Sequence, residues 1–258
     1  MTHSPALAAP VTPVIVTGGA SGIGLASAEA LAAVGRPVAL WDINTDAAQA
    51  AAEQIASHHG VAAIGVAADL RLPDAIAPAL AATRAAVGAP GALVHAAGIV
   101  DTASLDGLTV ESWDNGMAIH LRSFALITQA IQADLAAQPG SAIVAIASIN
   151  ATLGNAMNPI YTAAKGGMLA LVRSLADRLA RDGIRVNSVS PGQILTPMMR
   201  PAVEALPQGF FEKRILLERL GDPMEVGRVV RFLLSDEASY ITASEIVVDG
   251  GNISSQRG

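Results

Sequence analysis

A serine, a tyrosine and a lysine in this chain combine a hydroxyl, a phenol and an ammonium at spacings suited to proton transfer at an oxygen atom. Tyr161 follows Ser148 by thirteen residues, and Lys165 follows Tyr161 by four. Residues i and i+4 share a helix face, so Tyr161 and Lys165 would project together. A neighbouring positive charge favours phenolate over phenol, so Lys165 is expected to bring the Tyr161 pKa down from about 10 toward working pH. The Ser148 hydroxyl would hold a substrate oxygen beside that phenol. Such a set moves a proton on and off an alcohol or carbonyl oxygen. Tyr-x-x-x-Lys also recurs by chance, as a core tyrosine with a solvated lysine, so its weight depends on the elements around it.

The run SAIVAIAS, ending at Ser148, reads as a buried strand, an apolar block rich in β-branched residues. Ser148 then sits at the strand's C-terminal end, where open α/β sheets place ligands. A helix is expected from Pro159 to Asp182. Near the N-terminus, PVIVTG (13–18) reads as a strand running into GGASGIG (18–24) and then a helix ending near Gly35. Glycines let the backbone approach a phosphate, and the helix N-terminus offers free N–H groups to it. The spacing is T-G-x-x-x-G-x-G, on Thr17, Gly18, Gly22 and Gly24, and differs from the common G-x-G-x-x-G fingerprint.

A second strand, PVALWD, ends in Asp42, eighteen residues beyond Gly24. An acid near this distance can accept hydrogen bonds from ribose hydroxyls. Asp42 also reads as a turn residue or a cap ahead of Thr45; the glycine loop upstream favours the ribose reading. Its carboxylate would repel a 2′-phosphate, and Ser21 stands where a basic residue would help to hold one. NAD is therefore expected over NADP. A third strand lies within 61–70, with Asp69 either at the adenine edge or capping a helix that starts near Pro73. A fourth (91–99) leaves through Ala96, Ala97 and Gly98, small enough for a cofactor to lie against the backbone. One long helix, bent near its middle, is expected over 109–137 and carries His120. A sixth strand spans 184–192, a mobile helical lid about 197–220, a helix 222–234 and a last strand 244–251. The alternation predicts an α/β fold: a single-domain, Rossmann-type, doubly wound parallel sheet of about seven strands with helices on both faces. That domain spans 13–258, behind a loose tail over 1–12.

Composition narrows the functions. At 52% hydrophobic but 3% aromatic residues, the core must be built from Ala, Val, Ile and Leu. A net charge of -6 without a basic cluster argues against nucleic acid and anionic membrane surfaces. No cysteine is present, which removes disulfides, thiolate metal sites and a cysteine nucleophile. His58 and His59 lack an acidic cluster, so no metal site is expected. No leader is visible, and the uncharged stretch 138–164 is broken by two prolines and by Gly140 and Gly154, so no membrane span is read there. A cytoplasmic location is expected.

TGGASGIG, Asp42, AADL (67–70), HAAG (95–98), Ser148, YTAAK (161–165), RVNSVSPGQILTPM (185–198) and YITASEIVVDGG (240–251) occur in this order over nearly the whole chain. In that arrangement the chain resembles the short-chain dehydrogenase/reductase family. The resemblance implies a homotetramer transferring a hydride between a nicotinamide and a secondary alcohol or ketone. It implies Tyr161 as general base or acid, Lys165 as its partner and a hold on the nicotinamide ribose, and Ser148 as support for the substrate oxygen. It further implies cofactor contacts at Gly18, Ser21, Gly22, Ile23, Gly24, Asp42, Asp69, Leu70, Ala96, Ala97, Gly98, Pro191 and Gly192. Ile194 would offer its backbone to the carboxamide, and Thr196 its hydroxyl to carboxamide or phosphate.

Two positions depart from the pattern. His120 stands where the family carries a catalytic Asn whose carbonyl holds a relay water; the relay carbonyl survives that change, and imidazole is itself a proton acceptor. His95 opens HAAG where the family has NNAG. The substrate side is expected at Asn150, Leu153, Gly154, Asn155, Gln193 and the apolar run from Met198 and Met199 to Phe211. With no basic residue between Gln193 and Met199, an uncharged alcohol or ketone is expected, Arg200 being the nearest cation. Rival readings are an acyl-thioester 3-keto reductase, an NAD-binding sensor or scaffold with impaired catalysis, and a lyase-like relative working without cofactor.

Overall fold

The computed structural model describes residues 7–254. Strands and helices alternate through β1 (Val14–Thr17), α1 (Gly22–Ala32), β2 (Val38–Asp42), α2 (Thr45–His59), β3 (Ala63–Ala67), α3 (Ile76–Val87) and β4 (Ala92–His95). They continue through α4 (Val110–Met117), α5 (Ser123–Ala136), β5 (Ala142–Ile146), α6 (Asn150–Leu153), α7 (Pro159–Leu179), β6 (Arg185–Pro191), α8 (Arg200–Ala205), α9 (Pro223–Leu233) and β7 (Glu245–Val248). The seven strands form one parallel sheet in the order β3-β2-β1-β4-β5-β6-β7. Successive side chains on a strand point to opposite faces. Val14, Val16, Val38 and Leu40 accordingly pack with Leu31 of α1, Ile55 of α2 and Val230 of α9. Ile15, Ala39 and Trp41 pack on the other face with Leu80 of α3, Phe124 of α5 and Met168 of α7. Both faces are covered, as an all-parallel sheet requires. Trp41, fully buried, satisfies its indole N–H on the Thr83 hydroxyl at 2.8 Å.

Three expectations need correction. The single helix over 109–137 is α4, a wide π turn (Ala118–Arg122) and α5. In that turn the Ser123 N–H reaches back five residues to the Ala118 carbonyl. The expected helical lid is α8, a single turn over Glu212–Arg214 and connecting turns and bends. The N-terminal segment is not loose throughout: residues 1–6 lie outside the described residues, but Thr12 is gripped by the buried Arg36. The Arg36 guanidinium donates to the Thr12 carbonyl and hydroxyl, both at 2.9 Å, and to the Leu234 carbonyl at 3.1 Å. Burial pushes that guanidinium down to about 10.

Candidate active site

β1 lies between β2 and β4, so the connections leaving β1 and β4 run to opposite faces of the sheet and open a crevice at the strands' C-terminal ends. Gly18 sits in this crevice with φ +64°, and a Cβ there would stand 2.9 Å from the Ala97 backbone. A Cβ on Gly24 would lie 2.1 Å from the Gly18 carbonyl oxygen. The loop therefore closes only with glycine at both places. Ser21 precedes α1 without using its side chain as a cap, and the first turn of α1 carries no acid. The helix N-terminus is thus left available to an anion. The Asp42 carboxylate accepts from Ala20 N–H at 3.1 Å and Asn44 N–H at 3.0 Å, which ties the end of β2 to the glycine loop.

These groups line a cleft of about 390 Å³. Of the residues expected to hold a cofactor, Gly18, Ser21, Gly22, Ile23, Gly24, Asp42, Asp69, Leu70, Ala96, Ala97, Gly98, Tyr161, Lys165 and Thr196 all line it, as do His120 and Met198. Pro191, Gly192 and Ile194 do not; Pro191 and Ile194 are buried. A tight glycine cradle, an open helix terminus and an acid at the end of β2 fit a dinucleotide. Arg71 also lines the cleft and was not anticipated, although it stands only two residues beyond Asp69. Its guanidinium forks onto the Asp69 carboxylate, with contacts of 2.6 to 3.0 Å. This pairing holds Asp69 below the usual carboxylate range. Asp69 caps no helix: its other bond is to the Arg71 N–H.

The phenol and ammonium come from the first two turns of α7. Asn158 precedes that helix but supplies no side-chain cap. The cap comes from Asp101, on the loop after β4, whose carboxylate accepts from Tyr161 N–H at 2.8 Å and Ile160 N–H at 3.2 Å. The Asn158 side chain in turn donates to the Asp101 carbonyl. Lys165 is buried, donates to the Ile146 carbonyl at 2.6 Å and lies 5.5 Å from the centre of the Tyr161 ring. The Ser148 hydroxyl accepts from Asn150 N–H at 3.1 Å.

Burial reverses the expected pKa order in the protein alone. Desolvation pushes the Tyr161 phenol up, and interaction with Ser148 opposes it. Desolvation also brings Lys165 down to about 7, so the ammonium that was to stabilise phenolate is itself weakened.

His120 lies in the π turn, 1% exposed, with its ring edge-on to Tyr161 at 5.5 Å. Its Nε2 lies 2.9 Å from the Ile99 carbonyl oxygen and 3.3 Å from the Ile99 amide nitrogen, and its buried Nδ1 has no partner. Its carbonyl accepts from the His95 Nε2–H at 3.2 Å. The Thr17 hydroxyl donates to His95 Nδ1 at 3.0 Å and accepts from Ala96 and Ala97 N–H, both at 3.2 Å. Burial first, and the Lys165 charge second, push both imidazoles down to about 3. The relay carbonyl expected to survive at residue 120 thus already accepts one hydrogen bond, and a neutral imidazole stands beside the phenol.

A second cavity, of about 410 Å³, gathers Asn150, Leu153, Gly154, Asn155 and Gln193 with Ile149, Arg214 and Asn252. Met199 and Arg200 line neither cavity, and the apolar run expected to close over the substrate contributes Met198 to the cofactor cleft instead. The reason is local: α8 turns residues 200–205 away before the chain returns with Arg214.

The family model described as Enoyl-(Acyl carrier protein) reductase matches residues 18–252. The chain is 35% identical to a probable galactose dehydrogenase of Rhizobium meliloti (strain 1021), over 92% of this chain and 93% of that one. The chain belongs to the short-chain dehydrogenase/reductase family. A cyclohexanol dehydrogenase of Acinetobacter sp. (strain SE19), also similar, is 38% identical over 92% of each chain. The crystal structure of the Gluconobacter frateurii L-sorbose reductase, complexed with NADPH and L-sorbose, superposes with a TM-score of 0.88 at 28% identity, covering 94% of this chain and 97% of that one. Members this similar thus include dehydrogenases and a reductase, named for sugars and for a ring alcohol. The short-chain dehydrogenase/reductase fold accounts for the seven-stranded sheet, and a nicotinamide cofactor belongs in its cleft. No helix among the described residues is long and apolar enough to cross a membrane.

Proposed function

We propose that this protein interconverts a secondary alcohol and a ketone with NAD(H), using Tyr161 as the proton carrier. One observation carries the reading: Tyr161 and Lys165 line the cleft that the glycine loop builds. The bound nicotinamide supplies the hydride chemistry. The glycine loop and the N-terminus of α1 would hold its phosphates, Asp42 the adenosine ribose, Lys165 the second ribose, and Thr196 the carboxamide end. In oxidation Tyr161 takes the hydroxyl proton of the alcohol while Ser148 holds that oxygen. In reduction Tyr161 returns the proton to the carbonyl oxygen. Lys165, anchored on the Ile146 carbonyl, is placed to exchange a proton near neutrality. His120 fixes the segment after β4 through Ile99 and packs edge-on against the phenol ring. The raised phenol makes oxidation the alkaline direction, with reduction favoured nearer neutral pH.

Asp42 supports NAD, since a carboxylate side chain held at the end of β2 accepts ribose hydroxyls and leaves no room for a 2′-phosphate. A specific observation favours NADP as a second reading: Arg71 lines the same cleft and would meet a 2′-phosphate if it released Asp69. The NADPH held by the L-sorbose reductase supports that reading. Reduced-nicotinamide absorbance with a panel of secondary alcohols, run with NAD⁺ and NADP⁺ in parallel, tests both. Turnover with NAD⁺ that vanishes in Tyr161→Phe supports the first reading; turnover with NADP⁺ alone replaces it with the second. We read the assembly as a homotetramer, supported by the exposed Val110 and Trp113 on α4; a monomer by light scattering overturns that.

A further inference from the structure

The second cavity keeps the amides expected on the substrate side but lacks the apolar lid run expected to cover them. Its wall starts at Ile149, next to Ser148, and is furnished with the primary amides of Asn150, Asn155, Gln193 and Asn252. Among the described residues only Asn155 spends part of its amide, accepting from the Met157 N–H at 3.0 Å. A primary amide both donates and accepts, as a hydroxyl does, so four amides form a surface matched to several hydroxyls. An apolar ring alcohol would strip water from them and return no hydrogen bonds.

The remaining polar group is Arg214. Among the described residues its guanidinium makes no ion pair; its contact is the face of Phe210, 5.3 Å from the ring centre. A stacked guanidinium with its N–H fork open is suited to a carboxylate, which it meets bidentately. Among the described residues no second cation lines the cavity, so a monoanion is matched better than a phosphate dianion.

Resting on the alcohol–ketone reading, we propose that the substrate is a polyhydroxylated carboxylate of the sugar-acid type. Its hydroxyls lie on the amides, its carboxylate on Arg214, and its reacting carbon at Ser148 and Tyr161. This replaces the uncharged substrate that the absence of a basic residue over 193–199 suggests, because the cation arrives from farther along the chain.

The test uses the full chain with NAD⁺ and with NADP⁺. Four- to six-carbon aldonates are compared with the matching alditols, the matching sugar phosphates and cyclohexanol, in wild type and Arg214→Gln. The best aldonate is expected to exceed its alditol by about tenfold in kcat/KM, and Arg214→Gln to erase that gap while leaving the alditols within about twofold. Calorimetric binding of the same aldonates to the NADH-loaded protein is the second readout, expected to weaken by about tenfold in Arg214→Gln. Equal rates for alditols and aldonates, a gap that survives Arg214→Gln, or preference for cyclohexanol overturns the proposal, and preference for the phosphates overturns the carboxylate. Arg214-dependent binding without turnover of any compound sinks the alcohol–ketone reading and keeps the site. Turnover of neutral alcohols with no aldonate turned over or bound better in wild type than in Arg214→Gln keeps that reading and sinks the site.

Discussion

The cleft at the β1–β4 crevice and the cavity beside Ser148 are made of different materials. The cleft is shaped by backbone: a glycine loop, a helix terminus, and the small exits of β4 at Ala96, Ala97 and Gly98. The cavity is shaped by side chains, four amides and a guanidinium, brought from α6, the exit of β6, the lid segment and the C-terminal segment. A backbone cradle tolerates almost no added atoms but is indifferent to side-chain chemistry elsewhere. A side-chain cavity can change its ligand by a single substitution while the fold stands. Relatives named for galactose and for cyclohexanol, sharing this fold at similar identity, fit that division.

The strongest way to test the division is at the group both regions serve. Tyr161→Phe should lower kcat by about 10³-fold while NADH affinity, measured by fluorescence titration, stays within about twofold. A comparable loss of NADH affinity would mean that the phenol holds the cofactor as much as the proton. Gly18→Val comes next: with φ +64° and the Ala97 backbone 2.9 Å from any Cβ, it should weaken NADH binding by about 100-fold and cost about 1–3 kcal/mol of stability. Asp42→Ala should leave alcohol KM unchanged and move the NAD⁺/NADP⁺ preference toward NADP⁺ by about tenfold. A preference that moves only in Arg71→Ala would transfer that role to Arg71.

Two smaller effects concern the wall between the regions. Asp101→Ala removes the cap of α7 and should cost about 1–2 kcal/mol in chemical denaturation. It should also lower kcat more than cofactor affinity, because the cap acts on the amide of Tyr161 itself. His95 and His120 titrate near 3 when folded and near 6.5 when unfolded, so the unfolded chain binds more protons between those values. Stability is then complete above about pH 6.5 and is lost as pH falls toward 3. His120→Asn should flatten that slope by about one proton, read from denaturant midpoints across the range. Lys165 acts at the other end: folded near 7 against 10.5 unfolded, it makes stability rise with pH above neutrality.

The sheet was legible because buried parallel strands are short apolar runs with turn residues at their ends, and Val14–Thr17 or Ala142–Ile146 read directly. The cleft was legible because small residues at fixed spacing are required by close approach, as at Gly18 and Gly24. What escaped depends on partners distant in sequence. Thr12 is held by a guanidinium twenty-four residues on. The cap of α7 comes from Asp101, more than fifty residues upstream, and not from Asn158 beside the helix. The π turn leaves no compositional trace, since an i→i+5 bond asks for no particular residue. The i,i+4 spacing showed that Lys165 neighbours Tyr161 but not that both are buried, and burial sets the sign of their pKa shifts. Arg214 was missed because the search for a cation stopped at the near end of the lid.

Thr17 and His95 face each other across β1 and β4 in register. Both ring nitrogens of His95 are spent, one on that threonine and one on the carbonyl of His120. If β4 slid by one residue, Thr17 would meet Val94, and an imidazole with no partner would be sealed in the core. Strands as uniform as VIVT and ALVH offer little else to tell one alignment from the next. The polar pair therefore acts as a proofreading mark during assembly, penalising the shifted sheet and so guarding the width of the crevice before any ligand enters it.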